Sequence, residues 1–253
     1  MRAIRCVLAA VLAAGIVTVV AAQPGGFGGF RAPGDVTSLV TTNTALQDEL
    51  KLTADQKTKL KALAAKQDEI TKARQEMFKG GFDKDKFTEL NEKSTKVTEE
   101  ITAVLTADQK KRLKQIAIQD MGLAVFNDPE AKGGKGKGFV FVGEAQKALM
   151  KEVAEALKLN DKQKEAVKGV SDEFSKESTS IFKDSGAFSK ETGFDQEKWN
   201  AAQKKVDKIS REYWDKVTDG MTADQKAAWK TLVGEPFDVA KLRAPIVVPK
   251  KKD

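Results

Sequence analysis

Histidine is absent from this chain, and cysteine occurs once, at Cys6. Without imidazole there is no Ser-His-Asp or Cys-His catalysis, no His-ligated zinc and no imidazole switch near neutral pH. A single thiol builds neither an internal disulfide nor a cysteine-cluster metal site. Proline is scarce and unevenly spread. Pro24, Pro33, Pro129, Pro236, Pro245 and Pro249 leave 34–128 and 130–235 free of it. Proline in a helix interior costs about 3 kcal/mol, so two long proline-free blocks are what helical domains look like.

The chain opens with the basic stretch Met1-Arg2-Ala3-Ile4-Arg5, then runs apolar from Cys6 to Ala22, then breaks at Gln23-Pro24-Gly25-Gly26. That order predicts a secretory signal peptide over 1–22, cleaved after Ala22. The alternative is an uncleaved anchor, but the apolar run lies at the short edge of the ~17–25 residues that span a bilayer. Cleavage leaves no integral membrane segment and gives a secreted, periplasmic or cell-envelope protein. It also removes Arg2 and Arg5, so the formal charge of +7 falls by two. The balance left is mildly basic and dispersed, not a concentrated nucleic-acid patch.

A repeat fills the middle of the chain. Leu52-Thr53-Ala54-Asp55-Gln56-Lys57 returns as Leu105-Thr106-Ala107-Asp108-Gln109-Lys110. It appears again as Leu159-Asn160-Asp161-Lys162-Gln163-Lys164 and as Met221-Thr222-Ala223-Asp224-Gln225-Lys226. The flanks pair the first copy with the third (Leu50-Lys51-Leu52 with Leu157-Lys158-Leu159) and the second with the fourth, a duplication in A-B-A-B order. Each copy reads as a capping box: Thr53, Thr106, Asn160 or Thr222 accepts from the amide three residues on, where Gln56, Gln109, Gln163 or Gln225 reaches back. Lys at the following position in every copy excludes the apolar staple that often accompanies such a box. Read alone, these motifs mark where a helix restarts after a turn.

Between the caps the apolar spacing is helical. Leu60, Leu63, Ile70 and Met77 form one stripe, interrupted by Gln67 and Arg74; Phe87, Leu90, Val97, Ile101 and Val104 form the next. In the second block Val167, Val170, Phe174 and Ile181 answer Trp199, Ala202, Val206, Ile209 and Tyr213. One stripe per helix requires a partner helix. Gly80–Lys84 and the longer segment Asp184–Gln196 are the hairpin turns. The fold class is therefore all-α: two tandem helical-hairpin units over 40–128 and 144–240. Between them lies a Gly/Lys-rich linker at 129–143. A disordered Gly/Phe/Pro-rich segment at 23–39 and a basic tail at 241–253 flank them.

Other patterns carry no chemistry. Lys135-Gly136-Lys137-Gly138-Phe139-Val140-Phe141-Val142 lacks two of the aromatics an RNA-recognition strand needs, and no sheet surrounds it. No Lys-Ser or Lys-Thr completes a phosphate loop, and no loop has the calcium-binding spacing. Carboxylate pairs such as Glu99-Glu100 sit on solvated helix faces, with no cleft to make them acid and base. No cofactor and no nucleic acid are expected. The apolar residues at the hairpin tips are the candidate binding surface: Met77, Phe78, Phe82 and Phe87 on the first, Ile181, Phe182, Phe188 and Phe194 on the second. Lys79, Lys84, Lys86, Lys183 and Lys190 flank them, and basic charge speeds encounter while aromatics supply the hold. Ordinary tip packing is the alternative. Tyr213 and Trp214 are adjacent, so they do not both face one seam, and one of them belongs at an interface.

These motifs resemble the LTxxQ family of periplasmic, Spy/CpxP-like proteins. Leu52-Thr53/Gln56, Leu105-Thr106/Gln109 and, with Met for Leu, Met221-Thr222/Gln225 carry the resemblance; the third copy has Asn160 for Thr. It covers roughly 44–126 and 145–237. The Gly-Phe-rich start and the ending Trp229–Phe237 also resemble secreted planctomycete proteins. The family resemblance implies an all-helical, cradle-shaped protein that binds unfolded or partly folded clients without ATP. Two joined units imply a monomer with an internal pseudo-dimer, or a homodimer. The missing histidines depart from the zinc-responsive relatives. A non-enzymatic envelope chaperone is thus the leading expectation. The alternative is a scaffolding or binding module for an anionic envelope polymer or a signalling partner, suggested by the basic balance and Lys250-Lys251-Lys252.

Overall fold

A computed structural model describes residues 34–128, 143–189 and 193–243. Its α-helices are α1 (Thr44–Glu49), α2 (Ala54–Gly80), α3 (Lys84–Val104), α4 (Ala107–Met121), α5 (Glu144–Leu157), α6 (Asp161–Asp184), α7 (Gln196–Asp219) and α8 (Ala223–Val233). The described residues contain two strands of two residues each, β1 (Phe188–Ser189) and β2 (Gly193–Phe194), paired antiparallel. The all-α class expected from the sequence is what the chain adopts. Among the described residues no helix is long and apolar enough to cross a membrane. The expected signal peptide at 1–22 and, but for Gly143, the linker expected at 129–143 lie outside the described residues.

Contacts divide the chain into two compact units. The described part of one is 34–117 with 143–145; that of the other is 118–128, 146–189 and 193–243. The first unit was expected to run to 128, yet residues 118–128 group with the second. In that unit Gln119 Nε2 donates to the carbonyls of Val233 (2.7 Å) and Glu235 (2.9 Å), and its Oε1 accepts from the Phe237 amide at 2.7 Å. Phe126 meets Trp229 at 5.0 Å between ring centroids.

In the first unit, α2 and α3 form an antiparallel hairpin. α2 is 27 residues long, roughly 40 Å at 1.5 Å per residue. Its inner face buries Leu60, Leu63, Ile70 and Met77 against Leu90, Val97 and Ile101 of α3. Phe87 and Val104, expected in the same stripe, are only half-buried. Gly81, at φ +105°, reverses the chain, and Asp83 then caps α3 by accepting from the Asp85 and Lys86 amides. The Gly/Phe/Pro-rich tail was expected to reach residue 39, but Val36 and Val40 are buried, and a 3-10 turn at Ser38–Thr41 packs on α2 and α3. Gln67 interrupts the apolar stripe because it meets this turn, where the Thr41 hydroxyl donates to Gln67 Oε1 at 2.7 Å.

The second unit repeats the plan with α6 and α7. Val167 of α6 and Ala202, Val206, Tyr213 and Val217 of α7 are buried, while Val170, Phe174, Ile181, Trp199 and Ile209 are half-buried. Asp195 caps α7 as Asp83 caps α3. Within the basic tail expected from 241, Leu242 is buried and Arg243 grips Asp207 with two hydrogen bonds of 2.7 and 2.9 Å.

Candidate functional site

The capping boxes are present as expected. Thr53, Asn160 and Thr222 each accept from the amide of the glutamine three residues on, and each glutamine Oε1 accepts from the cap amide. Thr106 and Gln109 exchange the same two bonds. The structure adds a role that local capping does not require. Gln56 and Gln109 face one another across the mouth of the first hairpin as a reciprocal amide pair. Gln56 Nε2 donates to Gln109 Oε1 at 2.7 Å, and Gln109 Nε2 donates to Gln56 Oε1 at 3.1 Å. The second hydrogen of each amide goes to a backbone carbonyl: Gln56 to Val104 at 2.9 Å and Gln109 to Leu50 at 3.1 Å.

The second unit builds the same clasp from Gln163 and Gln225, paired at 2.8 and 3.2 Å. Their remaining donors reach the carbonyls of Gly220 and Leu157, both at 2.9 Å. All donor hydrogens of all four amides are used, so each clasp is fully satisfied. The carbonyls of Leu50 and Leu157 precede residues in the left-handed region, Lys51 at φ 51° and Lys158 at φ 45°. These lysines end α1 and α5 where a glycine is usual. In the first unit Arg112 of α4 adds an ion pair to Glu49 at 2.6 Å, with its side chain only 16% exposed. The motif therefore closes the hairpin at its open end.

The opposite end carries the aromatic residues. Among the described residues three large apolar side chains are exposed: Phe82 at 63%, Phe188 at 45% and Phe78 at 44%. All three stand at hairpin tips. On the first, Phe82 lies 6.4 Å from Phe78 and 5.5 Å from half-buried Phe87. Met77, expected on this surface, is buried in the hairpin core instead, because its side chain continues the Leu63–Ile70 stripe. On the second tip, β1 and β2 place Phe188 against Phe194 at 5.1 Å. Phe182 stacks on Trp199 at 4.5 Å, with Phe188 edge-on to the same indole at 5.6 Å and Phe194 at 6.0 Å. Ile181 is half-buried.

Trp199 is the tip residue that sequence reasoning placed elsewhere, on the core stripe of α7. Its position in the first turn after the Asp195 cap was the available signal. Exposed Lys79, Lys84, Lys86 and Lys183 surround the tips; Lys79 also lies 3.7 Å from Glu76, and Lys190 is outside the described residues. Tyr213 and Trp214 face different ways, as expected, but the interface with the other unit or a partner expected for one of them is not what either ring is seen to meet. Tyr213 faces the seam, where its hydroxyl donates to Glu177 at 2.8 Å, with Lys216 Nζ over its ring at 4.0 Å. That hydrogen bond, helped by burial, pushes the phenol up to about 12. Trp214 turns away from the seam and meets Trp229 at 4.9 Å within the same unit.

No protein-family model, curated protein or solved structure matches the chain. Fold and site define a class in structural terms: an all-α protein of duplicated helical hairpins, each closed at its mouth by an amide pair and aromatic at its tip.

Proposed function

We propose that this chain is a non-enzymatic envelope protein of the LTxxQ type that holds unfolded or partly folded proteins at its hairpin tips without ATP. The observation that supports this reading most is the placement of Phe78, Phe82 and Phe188. Phenylalanines exposed together at the hairpin ends exceed what packing of the tips requires, and a protein that captures apolar segments has a use for them there. The clasped mouth supplies a fixed end from which each tip projects. Lysines around the aromatics favour encounter with acidic clients, an effect that salt weakens.

The test is light scattering of a chemically denatured client diluted into buffer containing residues 23–253 at an equimolar ratio, without ATP, at low and moderate salt. Suppression of scattering is the expected result. Unchanged scattering at both salt concentrations overturns the reading. Salt-sensitive binding to an anionic polymer, with no effect on the client, would favour the scaffolding alternative.

A further inference from the structure

Registering the two hairpins on their caps exposes an exchange of charge. Lys66 on α2 stands as far from Thr53 as Glu173 on α6 stands from Asn160, and Glu100 on α3 precedes Gln109 by the same distance as Lys216 on α7 precedes Gln225. Both positions form a cross-hairpin ion pair, Lys66–Glu100 at 2.6 Å and Glu173–Lys216 at 3.7 Å. Their polarity is opposite: the first arm is the cation in one unit and the anion in the other. One turn further along the first arms, Ile70 corresponds to Glu177, and on the second arms Val97 corresponds to Tyr213. Ile70 and Val97 are both buried, whereas Glu177 and Tyr213 are joined by a hydrogen bond of 2.8 Å.

We propose that the reversed ion pair, backed by the Glu177–Tyr213 layer, selects which long arm pairs with which. A duplicated hairpin faces a pairing ambiguity: α2 with α7 and α6 with α3 is the exchanged arrangement, within one chain or between two copies. The clasps do not resolve it, because Gln56 and Gln163 are the same residue making the same bonds, as are Gln109 and Gln225. The middle layers do. Exchange sets Lys66 against Lys216 and Glu173 against Glu100, so two attractions become two repulsions. It also places Ile70 against Tyr213, whose hydroxyl loses its acceptor.

One contact works the other way. Arg74 donates to Asn91 at 2.9 Å in the first unit and would meet Asp207 after exchange. Asp207 is already held through both oxygens by Arg243, which reduces that gain. The ion pairs are half-exposed, at 52% and 47% for Lys66 and Glu100 and 52% and 64% for Lys216 and Glu173, so each alone is weak. Selection rests on four charge contacts changing together.

The experiment refolds the full chain from denaturant at low salt and couples carboxylates to neighbouring amines with a zero-length carbodiimide, read by mass spectrometry. The wild-type chain is expected to give the 66–100 and 173–216 products. Two variants are compared, K66E/E100K and K66E/E100K/E177I/Y213V. Both keep complementary arms within each unit, and the second makes the two hairpins equivalent at both layers. In these variants the native and the exchanged pairs are both carboxylate–amine, so both register. The exchanged products, 66–216 and 100–173, should approach the abundance of the intra-hairpin products in the second variant and stay roughly tenfold below them in the first, where the Glu177–Tyr213 layer still selects. Helical circular dichroism checks that both fold; one that does not is replaced by the mirrored reversal E173K/K216E. Exchanged products that stay rare beside the intra-hairpin products in both folded variants overturn the proposal.

Discussion

Removing one clasp glutamine separates two readings of the motif. The side chain of Gln109 takes part in four hydrogen bonds: its oxygen accepts from the Thr106 amide and from Gln56, and its nitrogen donates to Leu50 and Gln56. At a net ~0.5–1.5 kcal/mol per bond, their loss amounts to about 2–6 kcal/mol. The amide is half-buried, so water recovers part of this, and Gln109→Ala should cost about 2 kcal/mol. A purely local cap is worth about 1 kcal/mol. The sharper discriminator is coupling. Two bonds join Gln56 to Gln109 directly, so the cycle through Q56A, Q109A and Q56A/Q109A should show about 1–2 kcal/mol of coupling between residues far apart in sequence. Urea unfolding followed by helical circular dichroism gives the four stabilities. Q163A and Q225A provide an internal repeat in the second unit. Single losses near 1 kcal/mol that simply add would refute the clasp and return the motif to four independent helix starts.

Relieving the left-handed strain at Lys51 or Lys158 by substitution with glycine should add about 0.5 kcal/mol of stability each, read as a higher urea midpoint; a lower midpoint would contradict the assignment of these residues as helix terminators. Tyr213 is the single tyrosine in the chain, so ultraviolet titration of tyrosinate reports it alone, with an expected apparent pKa of about 12 when folded and 10 when unfolded. Because the folded value is the higher, the stability linked to Tyr213 is intact below pH 10 and is lost as pH rises toward 12. Y213F should remove that part of the pH dependence. Ile101→Ala, at a fully buried position on the hairpin seam, should cost about 2–5 kcal/mol by the same urea assay.

Much of the fold was legible in the residues. Proline distribution located the helical blocks, and the caps at Thr53, Thr106, Asn160 and Thr222 fixed four helix starts, because capping is local chemistry. The clasp was missed because capping explains only the oxygen of each glutamine. An inventory of donors would have shown two N–H groups per amide still without partners, but not where they go, since their acceptors lie across the hairpin. Gln67 looked like a blemish in a stripe for the same reason: its partner, Thr41, belongs to a turn, Ser38–Thr41, that straddles the expected edge of the disordered segment at 39. The unit boundary inside α4 was missed because Leu113, Ile116 and Met121 keep helical spacing straight through it, and periodicity carries no sign of a boundary. At the tips, Phe78, Phe82 and Phe188 were recognisable as apolar residues beside glycines. Met77 and Trp199 were misplaced because at a hairpin end one turn of helix separates core from surface.

The most direct test of the functional account compares client aggregation with the wild-type chain, with F78S/F82S/F188S and with Q56A/Q109A, at a temperature where all three are folded. The account predicts that the tip variant loses most of the suppression while keeping its stability, and that the clasp variant, less stable, retains suppression. Equal suppression by wild type and tip variant would contradict it.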